Sequence, residues 1–389
     1  MTTISRTAGE AVTGRGAVAA VMLGIFAIVT TEILPIGLLT SVATSFEVSA
    51  GAAGLMMTMP GFLAAVAAPV VTVSTARLDR RRMLCGFVLL LAVANLLAAA
   101  APDYRVLLVS RVLVGIVIGG FWSIGAGLAP RLVPPEREGR AKAVIFSAVP
   151  LGSVLGVPLG TLIGQVFHWR MAFGVLAVFA FGVLAALVAV LPPLPATRPT
   201  RLGVLRDVLR GTGTRFGLVV TFLVVLAHFG AYTYVTPFLE QVPGVGPAVI
   251  TVFLLVYGAA GIAGNFLAGS WAERRPRGTF AVVAGLLATA VLLLPAAGRW
   301  GLGALALLVV WGVAYGAVPV CSQTWFTKAA PRFPEAASVL FTSSFQATIS
   351  AGALAGGAVV DAGSPSAVMV FGGGVAVLAV AVLARARVA

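Results

Sequence analysis

The chain has 389 residues, of which 60% are hydrophobic and only 10% are charged, and its mean hydropathy is +1.06. Soluble proteins carry about 25% charged residues, so this composition excludes a soluble globular domain. Apolar runs of roughly twenty residues also exclude a transmembrane β-barrel, whose strands alternate over about ten residues. The net charge of +14 does not indicate nucleic-acid binding, because the arginines lie between the apolar runs. Cys85 and Cys321 each lie inside an apolar run, so we expect neither a disulfide framework nor a metal site.

The apolar runs predict twelve membrane-spanning α-helices, because one crossing needs about 20 residues. Only His168, Trp169 and Arg170 mark the turn between the fifth and sixth spans, so this boundary is the least distinct. The first run, of about 23 residues, is longer than a signal-peptide core, and we expect it to be retained. The predicted spans are 17–39, 51–74, 83–101, 106–129, 143–167, 171–192, 216–239, 247–272, 279–298, 301–326, 336–360 and 364–384.

The basic residues predict the orientation of these spans. Alternate connections and the two tails hold 22 Lys and Arg residues, whereas the intervening connections hold only Arg105, Arg170 and Arg299. Basic residues accumulate on the cytoplasmic side of membrane proteins. We therefore expect a multi-pass protein of the cell (inner) membrane with both termini in the cytoplasm.

A polar connection, residues 193–215, divides the chain into two sets of six spans. We predict an N-terminal six-helix bundle (1–192), a cytoplasmic linker (193–215) that could carry a short amphipathic helix, and a C-terminal six-helix bundle (216–389). Short repeats support this division: Asp79-Arg80 matches Glu273-Arg274, and Gly115 and Gly119 match Gly312 and Gly316 in the corresponding spans. Repeated halves are typical of secondary transporters, which bind their substrate between the halves near the midplane.

Glu32 is the one acidic residue that falls well inside a predicted span, and Arg111 is the one basic residue that does. A charge at that depth costs several kcal/mol, so such residues are normally functional. At 1.5 Å per residue, both lie roughly 8–10 Å below the outer boundary, so they can occupy one level. We predict that Glu32 binds and releases protons, with Arg111 or a substrate competing for the carboxylate. The alternatives are a permanently protonated, structural Glu32 and an Arg111 whose side chain reaches the outer interface.

Two further features indicate conformational change. Gly152, Gly156, Gly160 and Gly164 share one helix face around Pro158, which suits either static packing or a seam along which helices rock. Asp79 and Arg80 lie in an Arg-rich connection that either latches neighbouring helices or only sets orientation.

Aromatic and polar side chains within several spans suit a cavity for a ligand with both apolar and polar surface. The candidate substrate-binding residues are Phe121, Trp122, His228, Tyr232, Tyr234 and Tyr315. The sequence contains no phosphate-binding loop, metal-ligand spacing or nucleophile elbow. We therefore expect neither an enzyme nor an ATP-driven pump, and no cofactor: uphill work would use an ion gradient.

Five segments carry a resemblance to a known family: Thr31-Glu-Ile-Leu-Pro-Ile-Gly-Leu-Leu39, Gly119-Gly-Phe-Trp-Ser123, Arg131-Leu-Val-Pro-Pro135, Tyr232-Thr-Tyr-Val-Thr-Pro237 and Trp311-Gly-Val-Ala-Tyr-Gly-Ala-Val-Pro-Val320. With the twelve spans, they make the chain similar to the major facilitator superfamily. More narrowly, it resembles the drug:proton antiporters of the arabinose-efflux and purine-ribonucleoside-efflux branch. The resemblance implies a cavity lined by spans one, four, seven and ten, proton coupling through Glu32 and Arg111, and export. The chain departs from the family pattern at Thr75 and Arg82, which stand at glycine positions, and at Val157, which separates Gly156 from Pro158.

The function that we predict is proton-coupled antiport of small amphipathic organic compounds, such as drugs, nucleosides or sugars, and hence multidrug resistance. The expected partners are the small-molecule substrate, protons and the lipid bilayer, with no nucleic acid, and we expect a monomer. A proton symporter or facilitator for uptake remains an alternative, as does a membrane receptor or integral-membrane enzyme from another class.

Overall fold

The computed structural model describes residues 3–74, 78–125, 128–195 and 202–385. Thr75, Arg77, Arg198, Arg201 and Arg387, which contribute to the predicted loop motif and charge pattern, lie outside these ranges. Throughout the described ranges the regular structure is helical, which confirms the predicted all-α membrane fold. The helices are α1 (Thr3–Phe46), α2 (Ala50–Ser74), α3 (Arg80–Ala99), α4 (Tyr104–Gly125), α5 (Ala129–Leu132), α6 (Glu138–Val166), α7 (Trp169–Val190), α8 (Leu202–Arg210), α9 (Thr212–Tyr232), α10 (Val235–Leu239), α11 (Pro247–Arg274), α12 (Pro276–Ala297), α13 (Gly301–Ala329), α14 (Pro334–Ala362) and α15 (Pro365–Arg385), with a 3-10 turn at Pro135–Arg137.

Eleven helices in the described part of the chain are long and apolar enough to cross a membrane. The predicted span 336–360 corresponds to α14, which at 29 residues has the necessary length but is not among the eleven. Its sequence contains several serines and threonines and one glutamine, Gln346. Helix α14 packs against α2 and α9. Protein neighbours can satisfy polar groups that lipid cannot, so such a helix is tolerated inside a bundle.

The structure corrects the predicted seventh span, 216–239, which is broken into two helices. Helix α9 ends at Tyr232, and the short α10 begins at Val235. Pro237 explains the break, since a proline ring clashes with the carbonyl group four residues earlier, here that of Thr233. At this break, the Thr233 hydroxyl group donates to the Phe229 carbonyl oxygen at 2.6 Å.

The matching glycine pairs occupy equivalent packing positions. A Cβ atom on Gly115 or Gly119 of α4 would lie 2.5–2.6 Å from backbone oxygens of α2. A Cβ atom on Gly312 or Gly316 of α13 would overlap the backbone of α11 in the same way. Helices α2 and α11 are the second spans of the two sets of six. The sequence repeat therefore corresponds to a repeated close approach of helix backbones.

The two sets of six helices, here called the first and second halves, are hydrogen-bonded to each other on one side of the molecule. We call this contact the seal, and it lies opposite the linker side, where Leu194 and α8 are found. Its hydrogen bonds run from Thr40 Oγ1 to Glu240 Oε2 (3.0 Å), from Ser49 Oγ to Asp361 Oδ2 (2.6 Å), from Gly51 N to Asp361 Oδ1 (2.8 Å), and from Thr236 Oγ1 to the Ile36 carbonyl oxygen (3.2 Å).

On the linker side, arginine side chains bind carbonyl groups of their own half. Arg81 donates to Val188 (2.6 Å) and Arg131 to Pro195 (2.7 Å) in the first half, and Arg277 donates to Leu383 (3.0 Å) in the second. The described structure is therefore one in which the halves close against each other on the side away from the linker.

Candidate functional site

Glu32 lies on α1 at the boundary between the halves. Its side chain is 9% exposed. The carboxyl group faces the side-chain amide of Gln346 on α14, and Tyr315 of α13 is close enough for its hydroxyl group to interact with the carboxylate charge. Glu32 therefore faces the second half of the protein and not the lipid.

Arg111 is completely buried on α4, so its side chain does not reach the interface as the alternative required. Its Nη1 donates to the Thr31 carbonyl oxygen at 3.2 Å, and its Nε donates to Ser110 Oγ at 3.3 Å. The guanidinium carbon lies 4.9 Å from the centre of the Phe173 ring, a distance at which a cation–π interaction is favourable. Arg111 Nη2 has no hydrogen-bond partner among the described residues.

Arg111 thus reaches the level of Glu32, because it donates to the carbonyl oxygen of Thr31, the residue before Glu32. No ion pair joins the two side chains in the ranges that the structure describes. Successive residues of an α-helix point about 100° apart. Glu32 consequently faces the second half, whereas Thr31 and its partners lie within the first.

Asn95 completes this polar cluster, and the sequence analysis did not select it. Its Nδ2 donates to Thr31 Oγ1 and to the Leu91 carbonyl oxygen, each at 3.1 Å, while its Oδ1 has no partner in the described part of the chain. The signal was present, since Asn95 is the one strongly polar residue in the apolar run of α3. Its position in the sequence could not reveal that it faces α1.

In the second half, five rings form what we call the aromatic stack: His228, Tyr232, Tyr257, Trp311 and Tyr315. The His228 ring lies parallel to Tyr315, with centroids 3.3 Å apart, and is stacked with Tyr232 on centroids 4.9 Å apart. Tyr257 continues the stack at 4.6 Å from Tyr232, and Trp311 contacts three of the rings edge-on. The sequence analysis missed Tyr257, although a single tyrosine in the apolar α11 was a visible signal.

The hydrogen bond to His228 fixes the state of its ring. Trp311 Nε1 donates to His228 Nδ1 at 3.0 Å, so Nδ1 is the unprotonated nitrogen. His228 and Trp311 are almost fully buried, and Tyr315 is only partly buried. Tyr315 is thus the member of the stack that presents a surface toward Glu32, while His228 supports it from behind.

The structure places the other three predicted binding residues elsewhere. Phe121 is fully buried in the first half, and the partly exposed Trp122 lies 6.2 Å from the Phe146 ring. Tyr234 is fully buried at the seal, where its hydroxyl group donates to the Ala353 carbonyl oxygen at 2.8 Å. Of the six candidates, only His228, Tyr232 and Tyr315 are therefore in one cluster.

Asp79 and Arg80 hold the start of the linker against α3. Asp79 Oδ1 caps α3 by accepting from the Arg82 backbone at 3.2 Å, and Asp79 Oδ2 accepts from Leu194 N at 2.9 Å. The Arg80 backbone N–H donates to the Leu194 carbonyl oxygen at 2.8 Å. These bonds all lie within residues of the first half and the start of its linker.

The glycine ridge packs α6 against α1, so it joins two helices of the same half. Cβ atoms on Gly152, Gly156 and Gly160 would lie 2.7–2.9 Å from atoms of α1, and Pro158 is accommodated inside a continuous α6. The contact of α6 with the second half lies on another face, where a Cβ atom on Gly258 of α11 would lie 2.8 Å from Val154 Cα.

Two repeated six-helix halves, sealed together on one side around a buried carboxyl group, define the general architecture of a membrane transporter. Residues 21–339 match the Major Facilitator Superfamily, and the chain belongs to that family.

Solved structures of transporters share this fold. A bacterial homologue of the human lysosomal transporter Spinster, in an inward-facing and occupied conformation, is 16% identical with a TM-score of 0.76, covering 94% of this chain and 95% of the other. The same bacterial homologue in an inward-facing and unoccupied conformation is 15% identical with a TM-score of 0.71, covering 96% and 95%. The human organic anion transporter MFSD10 is 19% identical with a TM-score of 0.68, covering 95% and 99%. At these identities the likeness shows the fold alone.

Proposed function

We propose that this chain is a proton-coupled exporter that moves small amphipathic organic compounds by alternating access between its two halves. The observation that carries the proposal is the position of Glu32. Its buried carboxyl group belongs to the first half and faces Gln346 and Tyr315 of the second. A carboxyl group at such a boundary responds both to protons and to the relative movement of the halves.

The proposed orientation places the linker side in the cytoplasm, because the basic residues of the chain are concentrated there. The seal then faces the outside of the cell membrane, and the described conformation is closed outward. This is the state in which an exporter receives a compound from the cytoplasm. The partly exposed Tyr315 ring, near the carboxyl group of Glu32, suits a compound with both apolar and polar surface.

In the proposed cycle, Glu32 takes up a proton from outside, the halves close outward, and the proton leaves to the cytoplasm. The ionised carboxylate then favours binding of the exported compound. The proton gradient supplies the energy without a cofactor, and one chain provides both halves, so we expect a monomer to be sufficient. Drugs, nucleosides and sugars are the compound classes to test first.

Purified protein in vesicles that contain a pH-sensitive dye tests this proposal. For an antiporter, a compound gradient drives protons in the opposite direction, and a proton gradient concentrates the compound. Glu32→Gln should abolish both coupled movements while leaving compound exchange without a gradient. The matched control is Glu136→Gln, which neutralises an exposed acid on the linker side.

A Glu32→Gln protein that still concentrates compound against its gradient would contradict the proposed role of Glu32. Movement of protons and compound in the same direction would instead identify a symporter. Compound movement without any proton movement would identify a facilitator.

A further inference from the structure

Gln346 of the second half is a direct neighbour of the Glu32 carboxyl group. Its side chain is buried on α14 and faces the Glu32 carboxyl group. Its Oε1 atom is also buried, and it has no hydrogen-bond partner among the described residues. A buried acceptor without a partner is unfavourable, and such atoms in proteins are usually satisfied.

The backbone around Gln346 is held tightly against the first half. A Cβ atom on Gly61 of α2 would lie 2.6 Å from the Gln346 carbonyl oxygen. One turn further along α14, Ser350 Oγ donates to the Thr58 carbonyl oxygen of α2 at 2.7 Å. While these contacts hold, the backbone of Gln346 therefore stays against α2, and separation of α14 from α2 would carry its side chain away from Glu32.

The two ionisation states of Glu32 differ in how well they satisfy this amide. An ionised carboxylate only accepts hydrogen bonds, so it can bind Nε2 but leaves Oε1 without a donor. A protonated carboxyl group has one donor and one acceptor. It can donate its O–H to Oε1 while its carbonyl oxygen accepts from Nε2, and both ends of the amide are then satisfied.

We propose that Gln346 is a positioning residue that links the protonation of Glu32 to closure of the seal. Protonated Glu32 pairs with both ends of the Gln346 amide and stabilises the closed contact of α2 with α14. Ionised Glu32 leaves the buried acceptor unsatisfied and favours separation. This inference rests on the proposed function, because it gives a purpose to proton binding at Glu32.

Other charged or titratable groups near Glu32 must be separated from this effect. Arg111 approaches from α4, Tyr315 from α13 with His228 of α9 behind it, and Tyr257 from α11. Helices α2 and α10 contain no titratable residue, and those of α6, α7 and α14 lie near the helix ends.

The seal itself contains Asp361 and Glu240. Burial raises the pKa of Glu240, although its hydrogen bond from Thr40 lowers it. Because Glu240 accepts this hydrogen bond across the seal, its titration adds a pH dependence of its own to closure. Measurements are therefore best made in a Glu240→Gln background.

The distance between spin labels at Ala100 and Gln241, two exposed positions on opposite halves near the seal, reports closure. In the Glu240→Gln background, we expect the closed-to-open ratio to rise about tenfold or more as the pH falls from about 8 to about 5, since one buried hydrogen-bonding atom becomes satisfied. Gln346→Met and Gln346→Leu, two apolar replacements of different shape, should reduce this change to less than about twofold. Gln323→Leu, which removes an exposed glutamine from α13, is the control and should keep the full response.

Glu32→Gln provides an independent check, because its neutral side chain can both donate to and accept from the Gln346 amide at every pH. We expect its closed-to-open ratio to stay high and unchanged throughout the titration, while the open state is still visited often enough for compound exchange. If both Gln346 variants keep the acid-driven closure of the parent, the inference is overturned while the exporter proposal stands. If Glu32→Gln vesicles still couple compound movement to protons, the exporter proposal fails, and this inference fails with it.

Discussion

The two halves have similar helix packing but opposite kinds of interior. In the first half, Arg111, Thr31 and Asn95 form a buried polar cluster, in which the guanidinium and the Asn95 amide donate to a carbonyl oxygen and to hydroxyl oxygens. In the second half, the corresponding depth is filled by the aromatic stack, inside which Trp311 donates a hydrogen bond to His228. Glu32 lies between these two interiors.

This difference indicates a division of work. The first half holds a positive charge close to the backbone of α1, immediately before Glu32, and so provides the electrostatic environment of the carboxyl group. The second half provides a close-packed set of rings that carries Tyr315 toward the same carboxyl group. A duplicated fold can thus place unlike chemistry on its two sides without changing the helix arrangement.

The largest effect should come from Arg111→Lys. Lysine keeps the charge, but its ammonium group lacks the flat fork that bonds Thr31 and Ser110 while lying over Phe173. We expect proton-coupled transport to fall roughly 10- to 100-fold, the loss that corresponds to one charge-assisted hydrogen bond. Initial rates in vesicles under a fixed pH gradient measure it.

Arg170→Lys is the matched control for this substitution. Arg170 also binds a carbonyl oxygen, that of Ala101 at 3.0 Å, and lies over a ring, that of Trp169 at 4.3 Å, but it is in the first turn of α7. Equal losses in both variants would show that the polar cluster has no special role.

A smaller effect, on stability, is expected when Trp311→Phe removes the donor to His228. The buried His228 Nδ1 is then left without its partner, which should lower the free energy of unfolding by about 1–3 kcal/mol. Denaturant unfolding in detergent measures the change, with the exposed Trp300→Phe as control.

Adding His228→Phe to Trp311→Phe removes the unsatisfied acceptor as well. The double variant should therefore lose less than the sum of the two single variants. Strict additivity would argue against the importance of this hydrogen bond.

The smallest effect is expected from Asn95→Leu. The variant loses the bonds to Thr31 and Leu91, but it also removes the unpartnered Oδ1 atom and buries more apolar surface. These terms oppose each other, so the free energy of unfolding should change by no more than about 1 kcal/mol. A loss as large as that of Trp311→Phe would remove the proposed contrast between the two interiors.

Hydropathy was sufficient to predict the helical fold, because each crossing of a membrane imposes nearly the same length of apolar sequence. It was less informative where a helix lies inside the bundle, as with α14, or where a proline breaks one, as at Thr233. The helix ends also extend beyond the predicted spans. For example, α1 reaches Phe46 although the first span was predicted to end at 39, because a helix can continue past the apolar layer.

The candidate site was only partly predictable. Glu32 and Arg111 are conspicuous in sequence, since each is a charge in an apolar run, and depth arithmetic placed them at one level. The sequence could not show that they face different neighbours, because side-chain direction depends on helix rotation. Asn95 and Tyr257 were missed for the same reason, and Tyr234 was placed in a binding cavity although it fills space at the seal.

Two glycines of α2, Gly51 and Gly54, stand where the closed seal leaves no room for a side chain. A side chain at Gly51 or Gly54 would collide with Asp361 or Tyr234 from the other half. The size of the residue at each of these positions therefore decides whether the seal can close. Alanine at Gly54 should therefore disfavour the closed seal, and in the orientation proposed above it would favour the state that is open to the outside.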